Sequence, residues 1–296
     1  MSVRKITYTI TDEYAGISID RFLIKKGYTR QSIVRLKKTY RNAVINDEWM
    51  HLNHILNSGD VLTITISEDD SSEKIVPVEL PFPVVYEDED IVVVNKPADM
   101  PIHPSLNNYE NTLGNAAAYY YEQKNEKIVF RCVNRLDRDT SGLTIIAKHY
   151  LSAAILHTAM RAREIKREYI AIVEGDDIDH EGSVCLPIGR VKESTIERGV
   201  DYDNGEYALT HYKKLKSGNG LSLISLHLET GRTHQIRVHM KAIGHPLIGD
   251  WLYNPDNKLM KRQALHSHRL TFTHPISGEL MEFEAELPED MKTFFW

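Results

Sequence analysis

The sequence predicts an α+β fold: a large domain on a mixed, mostly antiparallel sheet, preceded by a small α+β module. Three observations carry this. Short strand-like runs and helix-like runs do not alternate regularly, as they would in a doubly wound parallel sheet. Charge reverses along the chain: residues 1–67 hold ten Lys and Arg against six Asp and Glu, whereas residues 68–90 hold nine acids and one Lys. The reversal coincides with Glu68-Asp69-Asp70-Ser71-Ser72-Glu73 and with Pro77, Pro81 and Pro83, a self-repelling stretch that suits an extended linker. The expected organisation is a module over 1–67, a linker over 68–83 and the main domain over 84–296.

In the module, Ile6, Tyr8 and Ile10 alternate as in a strand, and Ile17, Ile19, Phe22 and Leu23 suit a short helix. Residues 29–38 predict a second helix, with Ile33, Val34 and Leu36 turned inward and Arg30, Arg35, Lys37, Lys38 and Arg41 forming a basic surface. Ala43-Val44-Ile45 runs as a strand into a turn at Asn46-Asp47, and Gly59-Asp60 turns into a strand at 61–64. In the main domain, residues 84–86 and 91–97 read as paired strands around the acidic turn 87–90. Residues 111–120 and 151–160 predict helices. Residues 166–175 read as a buried strand with one polar tip at Tyr169, and Ile224, Leu226 and Leu228 alternate with Ser225 and His227 as in a half-buried strand.

Composition excludes several classes. No run has the ~18 continuous apolar residues of a membrane span, and the amino terminus lacks the apolar core of a signal peptide. The two cysteines, Cys132 and Cys185, are too few for a disulfide framework, so a reducing cytoplasm is the expected compartment, with Cys132 a core residue. The net charge of -6 neither supports nor excludes a polyanionic partner, because local clusters decide that.

The densest chemistry lies in Val133-Asn134-Arg135-Leu136-Asp137-Arg138-Asp139-Thr140-Ser141-Gly142, a polar loop leading straight into an apolar strand. A rigid strand presenting such a loop is a common way to hold catalytic groups. Asp137 and Asp139 are the candidate carboxylates, with Asp139 expected to bond backbone or Arg138. A second dense run, Leu228-Glu229-Thr230-Gly231-Arg232-Thr233-His234-Gln235-Ile236-Arg237-Val238-His239, offers Arg232 or Arg237 as a counter-cation. The residues alone do not choose between them. His234 and His239 lack metal-ligand spacing and a clear third ligand, so no metal is expected; both read as polar helix-start residues or substrate contacts. No phosphate-cradling Gly loop or dinucleotide fingerprint is present.

The run Arg-Leu-Asp-x-x-Thr-Ser-Gly-Leu at 135–143 resembles the active-site motif of the RluA-type RNA pseudouridine synthases, and residues 230–239 resemble that family's Thr-Gly-Arg-x-His-Gln-Ile-Arg-x-His motif. Lys96-Pro97, His103-Pro104, residues 244–253 and residues 265–275 resemble further family segments, so the similarity runs from about 84 to 288. Residues 1–67 resemble, more loosely, the S4 RNA-binding module that precedes the catalytic domain in many members. Two departures stand out: Asn134 where the family usually has His, and Asp47 where the module usually has Gly.

The resemblance implies a pseudouridine synthase-type catalytic domain in which Asp137 is the essential carboxylate, Arg237 pairs with it, and Tyr169 stacks on the target base. Such an Asp can attack C1′ as a nucleophile or take a sugar proton so that a glycal forms; sequence does not separate the routes. A bidentate Arg237–Asp137 pair would keep the carboxylate ionised and aimed. Arg135 is expected to fill the place of the flipped uridine. Arg232, His234, Gln235 and Ile236 are expected at the substrate, and Arg161, Arg163, Lys166 and Arg167 at phosphates. Isomerisation of one nucleoside needs no cofactor. The expected partner is RNA, ribosomal RNA ahead of transfer RNA, with no membrane and no obligate protein partner. Two other readings stand beside this: a glycoside or nucleoside hydrolase, which would need a second paired carboxylate, and an RNA-binding factor without catalysis, towards which only Asn134 points.

Overall fold

The structure is a computed structural model that describes residues 2–68, 75–106 and 108–295. The amino-terminal module consists of β1 (Ser2–Thr9), α1 (Ile19–Lys25), α2 (Arg30–Leu36), β2 (Ala43–Ile45), β3 (Glu48–Trp49) and β4 (Val61–Glu68). Its strands form one antiparallel sheet in the order β1-β4-β2-β3. The β2–β3 hairpin turns through Asn46 and Asp47, both at positive φ (49° and 73°). That is the backbone for which Asn-Gly is favoured, and here Asp takes the second place.

The remainder comprises β5 (Val84–Glu87), β6 (Ile91–Lys96), α3 (Leu113–Gln123), β7 (Ser141–Ala147), α4 (Tyr150–Arg161), β8 (Lys166–Glu174), β9 (Glu181–Cys185), the hairpin β10 (Ile188–Arg190) and β11 (Arg198–Val200), β12 (Leu209–Gly218), β13 (Leu221–Leu228), α5 (Gln235–Ala242), β14 (Leu265–Thr273), β15 (Leu280–Glu284) and α6 (Glu289–Lys292). Nine strands form one sheet in the order β5-β6-β7-β14-β8-β13-β12-β9, with β15 on β14. Every pairing is antiparallel except β7 with β14. The α+β, mostly antiparallel fold is therefore as the sequence predicts.

Helices and loops cover both faces of the central strands, which explains their near-continuous apolar runs. On β6, Ile91 and Val93 face α4 (Ala153, Leu156), whereas Val92 and Val94 face α3 (Leu113, Ala117, Tyr121). At the parallel contact, Gly142 of β7 has φ +113°, and a Cβ there would lie 2.3 Å from the Ser267 carbonyl oxygen. Only glycine lets β7 start this close to β14, directly after the loop that carries Asp137.

Two expectations are corrected. Val34 is 56% exposed; only Ile33 and Leu36 of that trio face inward, because residues three apart share a helix face and Val34 lies off it. β13 is buried on both faces as far as Leu226 rather than half-buried, and Ser225 satisfies its hydroxyl on Glu168 Oε1 at 2.7 Å.

The acidic stretch 69–74 lies outside the described residues. Residues 75–83 have no helix or strand, yet they are not a free tether: Ile75, Leu80 and Phe82 pack on the α3 core, and Val76 O accepts from Asn115 Nδ2 at 2.7 Å. The module is also seated on the main domain. Tyr150, Leu151 and Ile155 of α4 join its core. Arg4 makes a two-point contact with Asp90 (2.9 and 3.0 Å), and Glu68 accepts from Arg131 (3.0 Å) and from the Tyr150 amide (2.7 Å).

Candidate active site

The loop between residues 132 and 141 is tied down on both sides of Asp137. Asn134 is buried and acts as a stitch: its Oδ1 accepts from the Ile145 amide (2.8 Å) and its Nδ2 donates to Leu143 O (3.0 Å), both on β7. Beyond the Asp, Lys96 at the end of β6 is fully buried and donates to the carbonyls of Arg138 (3.0 Å), Met100 (2.8 Å) and Pro97 (2.8 Å). Burial pulls its ammonium down to about 7. Arg262 Nη1 donates to Asp139 O at 3.1 Å. The Asp139 carboxylate is held by Arg138, two bonds of 3.1 Å. Of the two carboxylates in the loop, Asp137 is the one left to face solvent, its side chain 26% exposed against 12% for Asp139.

It opens into a cavity of about 630 Å3. Asp137, Tyr169, Arg237, Arg135, Arg232, His234, Gln235 and Ile236 all border that cavity, although they come from a loop, a strand and a helix far apart in sequence. Arg30, Arg35, Lys37, Lys38 and Arg41 do not; they lie in the module. Of the expected phosphate contacts, Arg161, Arg163 and Arg167 border the cavity and Lys166 does not.

Arg237 lies in α5, 4% exposed, with Nη1 3.2 Å from Asp137 Oδ2. The expected bidentate pair exists, but with another partner: Arg237 Nε and Nη2 grip Asp250 at 2.6 and 2.8 Å. Asp250 is completely buried, and its Oδ1 also accepts from the Leu252 and Tyr253 amides, each at 3.1 Å. Burial alone would weaken the guanidinium's hold on its proton; the bonds and charge of Asp250, then the charge of Asp137, more than reverse this and raise its pKa. The result is a fixed cation whose Nη1 donates to Asp137. Sequence reasoning missed Asp250: residues 244–253 resemble a family segment, but no role is assigned there to the Asp.

His234 begins α5 in a left-handed conformation (φ 59°). Its Nδ1 is 2.9 Å from the Tyr253 hydroxyl, which itself accepts from the Arg198 amide at 2.9 Å. With the hydroxyl hydrogen on Nδ1, Nε2 carries the imidazole proton and faces Asp137 Oδ2 at 3.9 Å. Burial lowers the His234 pKa despite the charge of Asp137, keeping the ring neutral. His239 sits elsewhere: it is buried in the last turn of α5 against Thr210 Oγ1 (2.9 Å) and Leu186 O (3.0 Å), and is neither a helix-start residue nor a surface contact. Among the described residues Asp88, Asp90 and His274 also lie close together, outside the cavity lining, with Asp90 engaged by Arg4 and His149.

The side chain of Gln235 has no capacity left for a substrate. Its Oε1 accepts from Thr230 Oγ1 (2.7 Å) and the Arg232 amide (3.0 Å), and its Nε2 donates to Leu209 O (3.0 Å) and Thr210 Oγ1 (2.9 Å). It shapes the loop before α5. Arg232 is likewise engaged, by Glu206 and by Tyr207 O at 3.1 Å. Tyr169 on β8 is 5% exposed, opposite Ser267 of β14 and Leu226 of β13. Burial raises its pKa, opposed by the charge of Arg167. A neutral phenol thus borders the cavity with Asp137.

Comparison with known proteins follows the same residues. Residues 90–242 match the family model described as RNA pseudouridylate synthase, a span that includes Asp137, Tyr169 and Arg237. The chain is 38% identical over 279 residues to an uncharacterised RNA pseudouridine synthase, YjbO, of Bacillus subtilis, covering 94% of this chain and 95% of the relative. It is 38% identical over 305 residues to the ribosomal large subunit pseudouridine synthase D of Zymomonas mobilis, covering 97% and 95%. Among solved structures, human RNA pseudouridylate synthase domain containing 1 matches with a TM-score of 0.59 and 27% identity, over 70% of this chain and 83% of that one.

Proposed function

The chain belongs to the RNA pseudouridylate synthase family, and from that premise we propose that this isomerase acts on uridines in structured ribosomal RNA with Asp137 as its catalytic carboxylate. The observation that carries the assignment is the Asp250–Arg237–Asp137 chain, in which a buried cation fixes the one carboxylate of the loop that opens into the cavity.

The chemistry needs the N1–C1′ bond of uridine to break, the base to turn, and C5 to bond to C1′. C5 then loses its hydrogen as a proton and N1 gains one, so no redox partner or water is consumed. Asp137 either attacks C1′ or removes a sugar proton. In both cases Arg237 keeps it ionised and pointed at the sugar. The ring of Tyr169 offers a face for the flipped base, and its hydroxyl, held neutral by burial, has a proton to relay. Arg135 is exposed at the cavity rim, where its guanidinium can occupy the space the uridine leaves. Arg161, Arg163 and Arg167 supply positive charge for the neighbouring phosphates. Residues 1–67 act as a second RNA-holding unit, through Arg30, Lys37, Lys38 and Arg41. Ribosomal RNA is preferred as substrate because several relatives carry the name of ribosomal large subunit pseudouridine synthase D.

The test is tritium release from RNA labelled at uracil C5. Wild type should release it and Asp137→Ala should not. Release of free uracil would instead indicate a hydrolase, and no release from unmodified ribosomal RNA would remove the assignment.

A further inference from the structure

The module carries a second concavity, of about 640 Å3, at the carboxyl end of α2. Its walls include Lys37, Lys38, Tyr40, Arg41, Trp49 and His51. The three cations are exposed, and none forms an ion pair among the described residues. Arg41 holds a left-handed backbone (φ 50°), in a turn closed by the buried Asn42, whose Nδ2 donates to Leu36 O at 3.0 Å. The rings are as exposed as the charges: Tyr40 is 89% exposed, and Trp49, on a strand with no buried residue, is 43% exposed. Trp49 packs edgewise on His51 with 4.3 Å between ring centroids, which holds the indole in place.

Cations at a helix end are common because they complement the helix carbonyls, and that alone would explain Lys37 and Lys38. It does not explain two large aromatic rings in water beside them. Exposed ring faces interleaved with unpaired cations, in a cavity of small-ligand size, are what a single nucleotide requires: one surface to stack on and charge for its phosphates. A duplex hides its base faces and would leave the rings unused. We propose that this groove binds an unpaired nucleotide of single-stranded RNA, stacked on Trp49, with adjacent phosphates on Lys37, Lys38 and Arg41. The proposal rests on the reading of residues 1–67 as RNA-holding. α2 packs on the start of α4, where Arg35 lies 5.3 Å over the Tyr150 ring, while Met160 and Arg161 at the end of α4 line the catalytic cavity. A helix of this length spans roughly 18 Å. The groove therefore grips the same RNA away from the target uridine and raises its effective concentration at the catalytic cavity.

The test uses the full-length protein and a labelled oligocytidylate hexamer, which contains no uridine, read by fluorescence anisotropy, with tritium release by wild type measured in parallel. Trp49→Ala should weaken hexamer binding about tenfold, the value of one stacked base, and leave the salt slope unchanged. Trp49→Phe keeps a ring and should restore most of the affinity, which separates stacking from any loss of fold. Replacing Lys37, Lys38 and Arg41 by Ala should lower the log–log salt slope by about 2. Hexamer affinity unchanged in Trp49→Ala would overturn the proposal, as would a duplex of the same length binding as tightly as the single strand. If wild type released no tritium while Trp49→Ala still lost binding, the groove would stand and the catalytic assignment would fall.

Discussion

The catalytic cavity and the groove of the module are lined by similar side chains, held in opposite ways. In the cavity Arg237 is buried, gripped on one edge by Asp250 and offering one N–H to Asp137. In the groove Lys37, Lys38 and Arg41 are exposed and form no ion pair among the described residues. The difference fits the functions proposed for the two. Chemistry needs a charge whose position is fixed before substrate arrives, so its desolvation is offset inside the protein. Affinity for a polyanion gains from cations that remain free to exchange counterions for phosphates.

Within the cavity the contrast can be broken at either end of the Arg237 chain, and the two ends should fail differently. Asp137→Asn should cut turnover by about 10^3-fold or more, since it removes the reacting carboxylate. It should change stability little, because Asp137 is partly exposed and Arg237 keeps Asp250. Tritium release and urea midpoints would show this; near-normal turnover would exclude Asp137. Asp250→Asn should do less to the chemistry and more to the fold: up to about 100-fold in kcat through a misplaced Arg237, and about 3 kcal/mol of stability from a broken buried pair. A stable variant with unchanged kcat would mean that Arg237 does not need Asp250.

This asymmetry also marks how far the sequence could be read. Asp137, Tyr169 and Arg237 lie on three segments up to 100 positions apart, and nothing in spacing or periodicity joins them. Only the motif resemblance grouped them before the fold placed all three around one cavity. Asp250 lies in a segment, 244–253, that also resembles the family, but nothing there marks it as the partner of Arg237. An Asp after Gly249 reads as an ordinary turn residue, and its pairing with Arg237 exists only once α5 packs beside that turn. The strands were legible because their apolar runs match burial on two faces; β13 misled because Ser225 is polar in sequence but satisfied by Glu168 in the sheet. Val34 misled because a helix as short as α2 has too few positions to define its apolar face by pattern.

Lys96 extends the contrast to a buried cation that, among the described residues, makes no ion pair and holds the Asp137 loop through the carbonyls of Arg138, Met100 and Pro97. Its pKa is about 7 in the folded protein against an ordinary value of 10.5. Below about pH 7 it is protonated folded or unfolded, and the full cost of burying the charge applies. Between about 7 and 10 the unfolded chain keeps a proton that the folded one gives up, so the unfolded state binds more protons and this group makes stability rise with pH. Lys96→Met should abolish that rise. Urea midpoints at pH 7 and pH 9.5 decide it: parallel changes in the two proteins would mean that Lys96 does not titrate in this window.

The smallest expected effect separates two kinds of cation inside the module. Arg35 belongs by sequence to the same basic surface as Lys37 and Lys38, but its guanidinium lies over Tyr150 of the main domain. That contact ties it to the joint between the module and the main domain. Deleting residues 1–67 could not reveal this, because Leu151 and Ile155 of α4 would lose their core. Arg35→Ala should cost only about 0.5–1 kcal/mol, the value of an exposed cation–π contact. It should leave the salt slope of RNA binding as it is, whereas Lys38→Ala should lower that slope by about 0.7–0.9, one phosphate contact, at little cost in stability. If Arg35→Ala instead lowered the slope as Lys38→Ala does, Arg35 would be a phosphate ligand, and the RNA path would extend from the groove across α2 towards α4.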